Sequence, residues 1–380
     1  MASTFARPRS RAGRVAAIAA PAAIAAGVAA AIVLPGGSAL ATGGHNAFHQ
    51  TNLISDLSNQ GAQVVDPNLV NAWGLAMSPT SPLWVADNGT NVSTIYSINA
   101  GGTKAAKVPL TVALPGAGGS APTGQVFNPT TGFVVSTSAG SGPGLFIFSS
   151  ESGRIIAWNP VADPASNGAS TATVEFSSPT AVYKGLAIAS TRNGTFLYAS
   201  NFHDGTVDVF DTHFHHVFLR GHFRDPFLPR GYAPFGIQEI NGYLYVSYAL
   251  QNAEKHDDVA GPGHGFVSVY TNNGFLVRRL IVRGDLNSPW GMTVAPAGFG
   301  PFGGHLLVGN FGDGKIHAYD LPSGRPDGPL LNEQHKPIAI NGLWGLTFGT
   351  ASTGGTGTLL FSAGLNDEAD GLVGSINPAP

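Results

Sequence analysis

Apolar and polar residues alternate along this chain in short runs, most clearly in residues 288–320, SPWGMTVAPAGFGPFGGHLLVGNFGDGKIHAYD. A glycine-led apolar segment (Trp290, Gly291, Met292, Val294) precedes a run over 305–308, an Asn-Phe-Gly-Asp-Gly turn, and a second alternating run (Ile316, Ala318) that closes on Tyr319 and Asp320. Period-two alternation bounded by glycine and proline turns predicts three strands of one antiparallel sheet.

Weaker copies of this unit fill the chain. The leading glycine recurs as Trp73-Gly74, Thr123-Gly124, Lys184-Gly185, Phe235-Gly236, Trp290-Gly291 and Trp344-Gly345, at successive spacings of 50, 61, 51, 55 and 54 residues. Five of the six glycines are followed by an apolar residue: Leu75, Leu186, Ile237, Met292 and Leu346. The later strands recur as LWVADNGTNVSTIYSI, LFIFSSESGRIIAWNP, FLYASNFHDGTVDVFD, YLYVSYALQ with GFVSVYT, and TLLFSAGLNDEADGLVGSIN. A period this long, with three or four strands per unit, predicts an all-β, six-bladed β-propeller and not a solenoid.

The last copy supplies only three strands before Pro380, so an N-terminal strand at 48–56 is expected to close its sheet, with Leu53 and Ile54 paired into it. Fourth strands are expected at 107–113, 171–176, 216–222, 275–282 and near Leu330, as edges at the rim. Two linkers are long: 159–170, and 251–265 (QNAEKHDDVAGPGHG), the second expected to overhang one face as a lid or contact loop.

Charged residues make up only 11% of the chain, while Gly (52) and Pro (27) are abundant, so turns rather than helices consume it. The net charge of −3, without a basic run, argues against nucleic acid as a partner. The absence of Cys removes disulfides and thiolate metal sites. The first 41 residues differ in kind, with Arg7, Arg9, Arg11 and Arg14 ahead of an Ala-rich apolar stretch broken by Pro21, then Ala39-Leu40-Ala41. That pattern predicts a secretory signal peptide over 1–41, cleaved after Ala41, and one propeller domain over 42–380; a retained anchor is the alternative. The expected product is a secreted, extracellular monomer with no membrane association after cleavage.

In a propeller the entry to each innermost strand and the turn between second and third strands share one face. Two rings of candidates follow. The first holds Trp73, Thr123, Lys184, Phe235, Trp290 and Trp344, an aromatic mouth with one cation. Inter-blade packing of these indoles is the alternative. Lys184, and Gln125 at a position otherwise Leu, Ile or Met, break the apolar pattern and need polar partners or water. The second ring places Asp87, Asn201 and Asn310 in one slot, where converging oxygens could hold Ca²⁺ in the central channel; the same residues also suit the tight turns DNGT, NFHDG and NFGDG. His213, His215, His216 and His222 allow at most a surface transition-metal site. No nucleophile elbow, zinc-protease motif or phosphate loop is present.

Pro122-Thr123-Gly124, Pro234-Phe235-Gly236 and Pro289-Trp290-Gly291, followed by L-x-V-[AGS]-[DN] and a D-G turn, resemble the NHL-repeat propellers. More closely, NLVNAWGLAMSPTSPLWVADNGTNVSTIY with PTGQVFN and SPWGMTVAP is similar to a family of secreted bacterial six-bladed propellers, over about residues 48–378. The resemblance implies the fold. Gluconolactonase-like propellers use Asn and Asp before such glycines, and virginiamycin-B-lyase-like ones use His and Glu near the channel; Trp, Thr, Lys, Phe, Trp and Trp stand at the glycine-preceding slots here. The favoured expectation is therefore a non-catalytic protein that binds a small molecule, glycan or protein at the channel mouth, through Trp73, Gln125, Lys184, Phe235, Trp290 and Trp344. The alternative is an extracellular metal-dependent lyase or hydrolase with its cation on Asp87, Asn201 and Asn310, and with no catalytic residue assigned beyond Lys184 as an electrostatic or proton-transfer group.

Overall fold

Each of the six X-Gly pairs falls at a β-bulge in the first strand of a sheet, where the pairing with the second strand skips a step. A bulge re-aims the extra side chain and bends the strand, which turns the residue before glycine out of the blade. The glycine itself is required by its neighbour. A Cβ on Gly74, Gly124, Gly236, Gly291 or Gly345 would lie 2.1–2.6 Å from an atom of the next blade, mostly the carbonyl of that blade's own X residue. The contact runs round the ring and closes from Gly345 onto the Trp73 carbonyl.

The computed structural model describes residues 45–116 and 118–380. The expected signal peptide, residues 1–41, lies outside them. The blades comprise Ala72–Ala76, Leu83–Asp87, Val92–Ile98 and Ala105–Ala113; Pro122–Phe127, Phe146–Ser150, Arg154–Trp158 and Thr173–Ser177; Tyr183–Thr191, Gly194–Asn201, Thr206–Phe210 and His216–Val217; Tyr232–Ile240, Tyr243–Leu250, Phe266–Thr271 and Leu276–Val282; Pro289–Val294, Leu306–Asn310, Ile316–Tyr319 and Pro326–Pro329; and Leu343–Phe348, Leu359–Gly364, Asp370–Pro378 and Phe48–Ser55. The fold is a six-bladed β-propeller. Its N-terminal strand pairs antiparallel with Asp370–Pro378, from Phe48 opposite Pro378 to Ser55 opposite Leu372, and closes the last blade as the chain pattern predicts.

Two outer strands differ from expectation. Residues 171–176 split: Ala169–Thr171 crosses to lie parallel to Ala105–Ala113 of the first blade, and only Thr173–Ser177 edges the second. The strand expected over 216–222 shrinks to His216–Val217, because the left-handed His222 and Phe223 turn the chain away. An edge strand has one partner to hold it, so such ends yield first to loop geometry.

Apolar burial follows the blade joints. Six clusters each combine residues of two adjacent blades, for example Trp84, Ile95, Phe146 and Ile156 between the first and second. A seventh lies on the axis: Trp73, Phe202, Ala233, Phe235, Ala249 and Trp344, with Trp290 and Phe311 against it. Buried hydroxyls on second strands tie the joints by donating to the next blade's entry carbonyls, Ser200 Oγ to Phe235 (2.6 Å), Ser247 Oγ to Pro289 (2.6 Å) and Ser362 Oγ to Trp73. The Phe235 and Trp73 carbonyls are ones that the bulge removes from the ladder, and these bonds satisfy them.

Candidate functional site

The bulges deliver Trp73, Lys184, Phe235, Trp290 and Trp344 to the axis, where they pack on one another. Ring centroids lie 3.8 Å apart for Trp73 and Trp344, 5.8 Å for Trp290 and Trp344, and 5.8 Å for Phe235 and Trp344, while Phe311 stacks on Trp344 at 3.9 Å. Trp73 and Trp344 are 1% exposed, so they offer no free ring face, and Trp290 is half-buried. Thr123 turns to the backbone instead, its hydroxyl donating to the Tyr183 carbonyl at 2.7 Å. These rings plug the channel.

Gln125 lies elsewhere. It lines a cavity of about 40 Å³ with Leu75, Leu186, Ile237, Met292 and Leu346, the residues that follow the glycines, and Trp290 forms part of the same wall. Both atoms of its buried amide lack a protein partner. A space of that size has room for a water molecule.

Lys184 is the centre of a charged network over the plug. Its ammonium, 3% exposed, donates to Glu151 Oε1 and reaches Asp257 Oδ1 at 3.4 Å, and it stands 5.2 Å from the Trp73 ring centroid. Glu151 Oε2 accepts from Asn88 Nδ2 (2.9 Å), Asn88 Oδ1 accepts from Asn71 Nδ2 (3.2 Å), and Asn71 Oδ1 accepts from both Trp73 Nε1 (2.8 Å) and Trp344 Nε1 (3.1 Å). Trp290 Nε1 donates to the Lys184 carbonyl at 2.8 Å, and His256 Nδ1 lies 2.8 Å from Asp257 Oδ1. One chain of hydrogen bonds thus runs from the sealed indoles to the solvent edge.

The electrostatics follow from burial opposed by pairing. Burial alone would lower Lys184, but Glu151, then Asp257 and Glu368, outweigh it and raise the lysine, so it stays charged. Burial likewise works to raise Asp257, yet Lys184 and His256 hold its carboxyl below the ordinary range. Glu368 is pushed up to about 7, by burial first and then by the neighbouring Glu151 charge. Asp258 is also raised, chiefly by burial. Two carboxyls about one ammonium are therefore held in opposite directions.

Glu368 reaches this site through an unusual turn in which Asn366, Asp367 and Glu368 all have positive φ (53°, 54° and 68°). Non-glycine residues in that region cost of order 1–3 kcal/mol each, and such conformations collect at functional sites. Asp257 arrives on the 251–265 segment, which covers the mouth as expected and is pinned by Gln251 Nε2 on the Phe202 carbonyl (2.5 Å) and by the Asn252 amide on the Asp257 carbonyl (2.8 Å).

The second ring is placed differently. Asp87, Asn201 and Asn310 occupy one slot as aligned, opposite Ala72, Tyr183 and Pro289, but they share no partner. Asp87 Oδ2 accepts from Thr94 Oγ1 (2.7 Å), Asn201 Nδ2 donates to Asp204 and Asp208 (2.9 and 3.0 Å), and Asn310 Nδ2 donates to the Asp285 carbonyl (2.8 Å). Asp87 Oδ1 and Asn310 Oδ1 are buried without protein partners. Burial, with the Asp66 charge in support, pushes the Asp87 carboxyl well above the ordinary range.

The axial residues of the second strands stand one position further on: Asn88, Glu151, Phe202, Ala249, Phe311 and Gly364. Asn88 and Glu151 bond each other, Phe202 meets Phe235 at 5.2 Å, Ala249 joins the axial cluster, and Gly364 abuts Asn71 Oδ1 and Trp344 Nε1. Strand alternation alone carries the reason, since neighbours in a strand face opposite ways. Asn71, Asn88, Glu151, Asp257 and Glu368 are functional candidates that the sequence reading passed over, and a one-residue shift of the alignment would have found Asn88 and Glu151.

No family model matches the chain. Among solved structures it is similar to virginiamycin B lyase from Staphylococcus aureus (14% identity, TM-score 0.45, 87% of this chain and 98% of that one) and to a putative 6-phosphogluconolactonase from Bacteroides uniformis (14%, 0.40, 70% and 70%). It is 35% identical over 331 residues to the uncharacterized protein R648 of Acanthamoeba polyphaga mimivirus, spanning 85% of this chain and 78% of that protein. It is also 35% identical over 336 residues to the uncharacterized protein L690 of the same virus, spanning 86% and 85%. The chain belongs to the family of these two mimivirus proteins.

Proposed function

We propose that the protein is a secreted binding protein that takes a small molecule, glycan or protein on the axial mouth beneath residues 251–265, without chemistry on it. The carrying observation is Lys184, a buried ammonium that bonds Glu151 and Asp257 over a plug whose Trp73 and Trp344 offer no free ring face. What remains for a ligand is the acceptor rim of Asp257 and Glu368, with His256 beside Asp257. Such a rim suits a ligand rich in hydroxyl or ammonium donors, because Asp257, held ionised by Lys184, offers lone pairs and no proton, and Glu368 offers the same once its raised carboxyl has lost its proton. Binding to a panel of glycans and polyamines, compared between wild type and Asp257→Asn and Glu368→Gln, tests this. Weakening of about tenfold in either variant, the loss of one or two charge-assisted bonds, supports the reading. Equal binding in both variants overturns it.

A second reading, an extracellular lyase or hydrolase, has one observation in its favour. Glu368 near 7 and the ionised Asp257 flank Lys184, and general acid–base work needs carboxyls held apart in this way. A cation here would use Glu151, His256 and Asp257, whose donor atoms lie within 4.8 Å of one another, but the Lys184 ammonium already occupies two of the three. Turnover of lactone or glycoside substrates that vanishes on chelation would support this reading over binding alone.

A further inference from the structure

A second cluster of ligating side chains lies away from the axis, on the turn between the third and fourth strands of the third blade. Asp211, His213 and His215 bring one carboxylate and two imidazoles within 4.8 Å of one another. The turn is built from inside. Phe214 adopts φ 61°, is buried, and packs edge-on against Phe133 of the preceding blade at 5.4 Å. With residue 214 turned in, His213 and His215 both stand out in solvent, their rings 5.8 Å apart and nearly parallel at 18°. Asp211 Oδ1 accepts the amides of His213 (2.8 Å) and His215 (2.9 Å), and Oδ2 lies 3.3 Å from His215 Nδ1. The Thr212 carbonyl accepts from the Phe133 amide at 2.7 Å, which anchors the turn to the neighbouring blade.

We infer that Asp211, His213 and His215 form a binding site for a divalent transition-metal ion of the zinc, nickel or copper class. Two imidazoles and a carboxylate are the donor set such ions prefer, and oxygen-seeking Ca²⁺ and Mg²⁺ do not. In a tetrahedral zinc site the donors stand about 3.4 Å apart, given bonds near 2.1 Å, so modest rotation of two solvent-exposed rings closes the present spacing. Water completes the coordination. The backbone bonds to Asp211 fix the turn before the ion arrives, so little ordering is left to oppose binding.

The test uses the protein without a polyhistidine tag. Zinc chloride is titrated calorimetrically into wild type, His213→Ala and His215→Ala, and melting is followed with zinc and with calcium. Wild type should take up one zinc at this site and melt higher in its presence. Each exposed-histidine variant should fold as wild type and bind zinc at least about tenfold more weakly, as expected for a lost ligand. Calcium should give no shift that depends on these histidines. Absence of zinc binding to wild type overturns the proposal. So does equal zinc affinity in both variants, which would move the ion to Glu151, His256 and Asp257.

Discussion

Replacing Lys184 with Met removes the one ammonium from a ring of carboxylates and keeps most of the side-chain volume. The lysine is 3% exposed and Glu151 14%, so their pair belongs to the buried class, in which deleting one partner costs about 3–5 kcal/mol. Asp257 is 60% exposed and adds little, since water screens it. The expected loss near pH 8 is therefore about 3 kcal/mol, a fall in melting temperature of about 4 °C for a domain of this size. The sign of the pH dependence follows from proton uptake. Without Lys184 the buried carboxylates gain affinity for protons in the folded state, so the folded variant binds more protons than wild type as pH falls. The penalty must then shrink on going from pH 8 to pH 5. In Lys184→Met/Glu151→Gln neither charge is left alone, and stability should return to within about 1 kcal/mol of wild type, a coupling well above that of independent sites. Urea unfolding at both pH values measures all of this. A loss under about 1 kcal/mol, a pH-independent loss, or a double variant as unstable as the summed singles would falsify the account of the site as one coupled charge cluster.

Three further outcomes are expected. Glu368→Gln should stabilise the protein at pH 8 by up to about 3 kcal/mol and leave it nearly unchanged near pH 4, because a carboxyl raised from 4.5 to about 7 is bound to its proton below that window and uncompensated above it; equal effects at both pH values in a melting series would count against the raised carboxyl. Gly236→Ala would set a Cβ 2.1 Å from the Trp290 carbonyl and should cost about 1–3 kcal/mol or more, whereas Gly357→Ala meets nothing within 4 Å and should be near neutral, as paired denaturation curves will show. Trp344→Ala should lose about 3–5 kcal/mol whether or not ligand is present, since it vacates the centre of the axial plug; a stable variant with altered binding only would place the indole at a ligand surface instead.

The blade count was legible because one structural demand repeats six times: a bulge that brings X-Gly against the next blade leaves a glycine at a fixed spacing, and alternation supplies the strands beside it. The closing strand was legible for a related reason, as a sixth sheet with three strands needs a fourth. The charged site was not. Lys184 stands out at a repeated slot and Glu151 lies one residue from the aligned position, but Asn71, Asp257 and Glu368 come from loops and turns, and no spacing in the chain announces their meeting with those two. The slot of Asp87, Asn201 and Asn310 marks the ends of the second strands but holds the residue facing the blade, not its neighbour facing the axis. Glu368 is the most hidden, since its place depends on three successive left-handed residues, of which only Asn366 and Asp367 are of a type that favours that conformation.

The pairing of Phe48 with Pro378 gives the ring a clasp. Until the last strand has been made, the first has only the short parallel pairing of Ile54 and Ser55 with Val64 and Val65, and the disc can close only by joining segments some three hundred residues apart, the slowest kind of contact for a chain to find. A break in the clasp would strip Asp370–Pro378 of its outer neighbour and leave an open row of backbone donors and acceptors, which the first strand of another copy could fill as readily as its own. The same clasp holds the two ends of the propeller side by side, so a short tether between residues 48 and 378 could carry the join while the ring is opened at another blade, moving the seam without changing the disc.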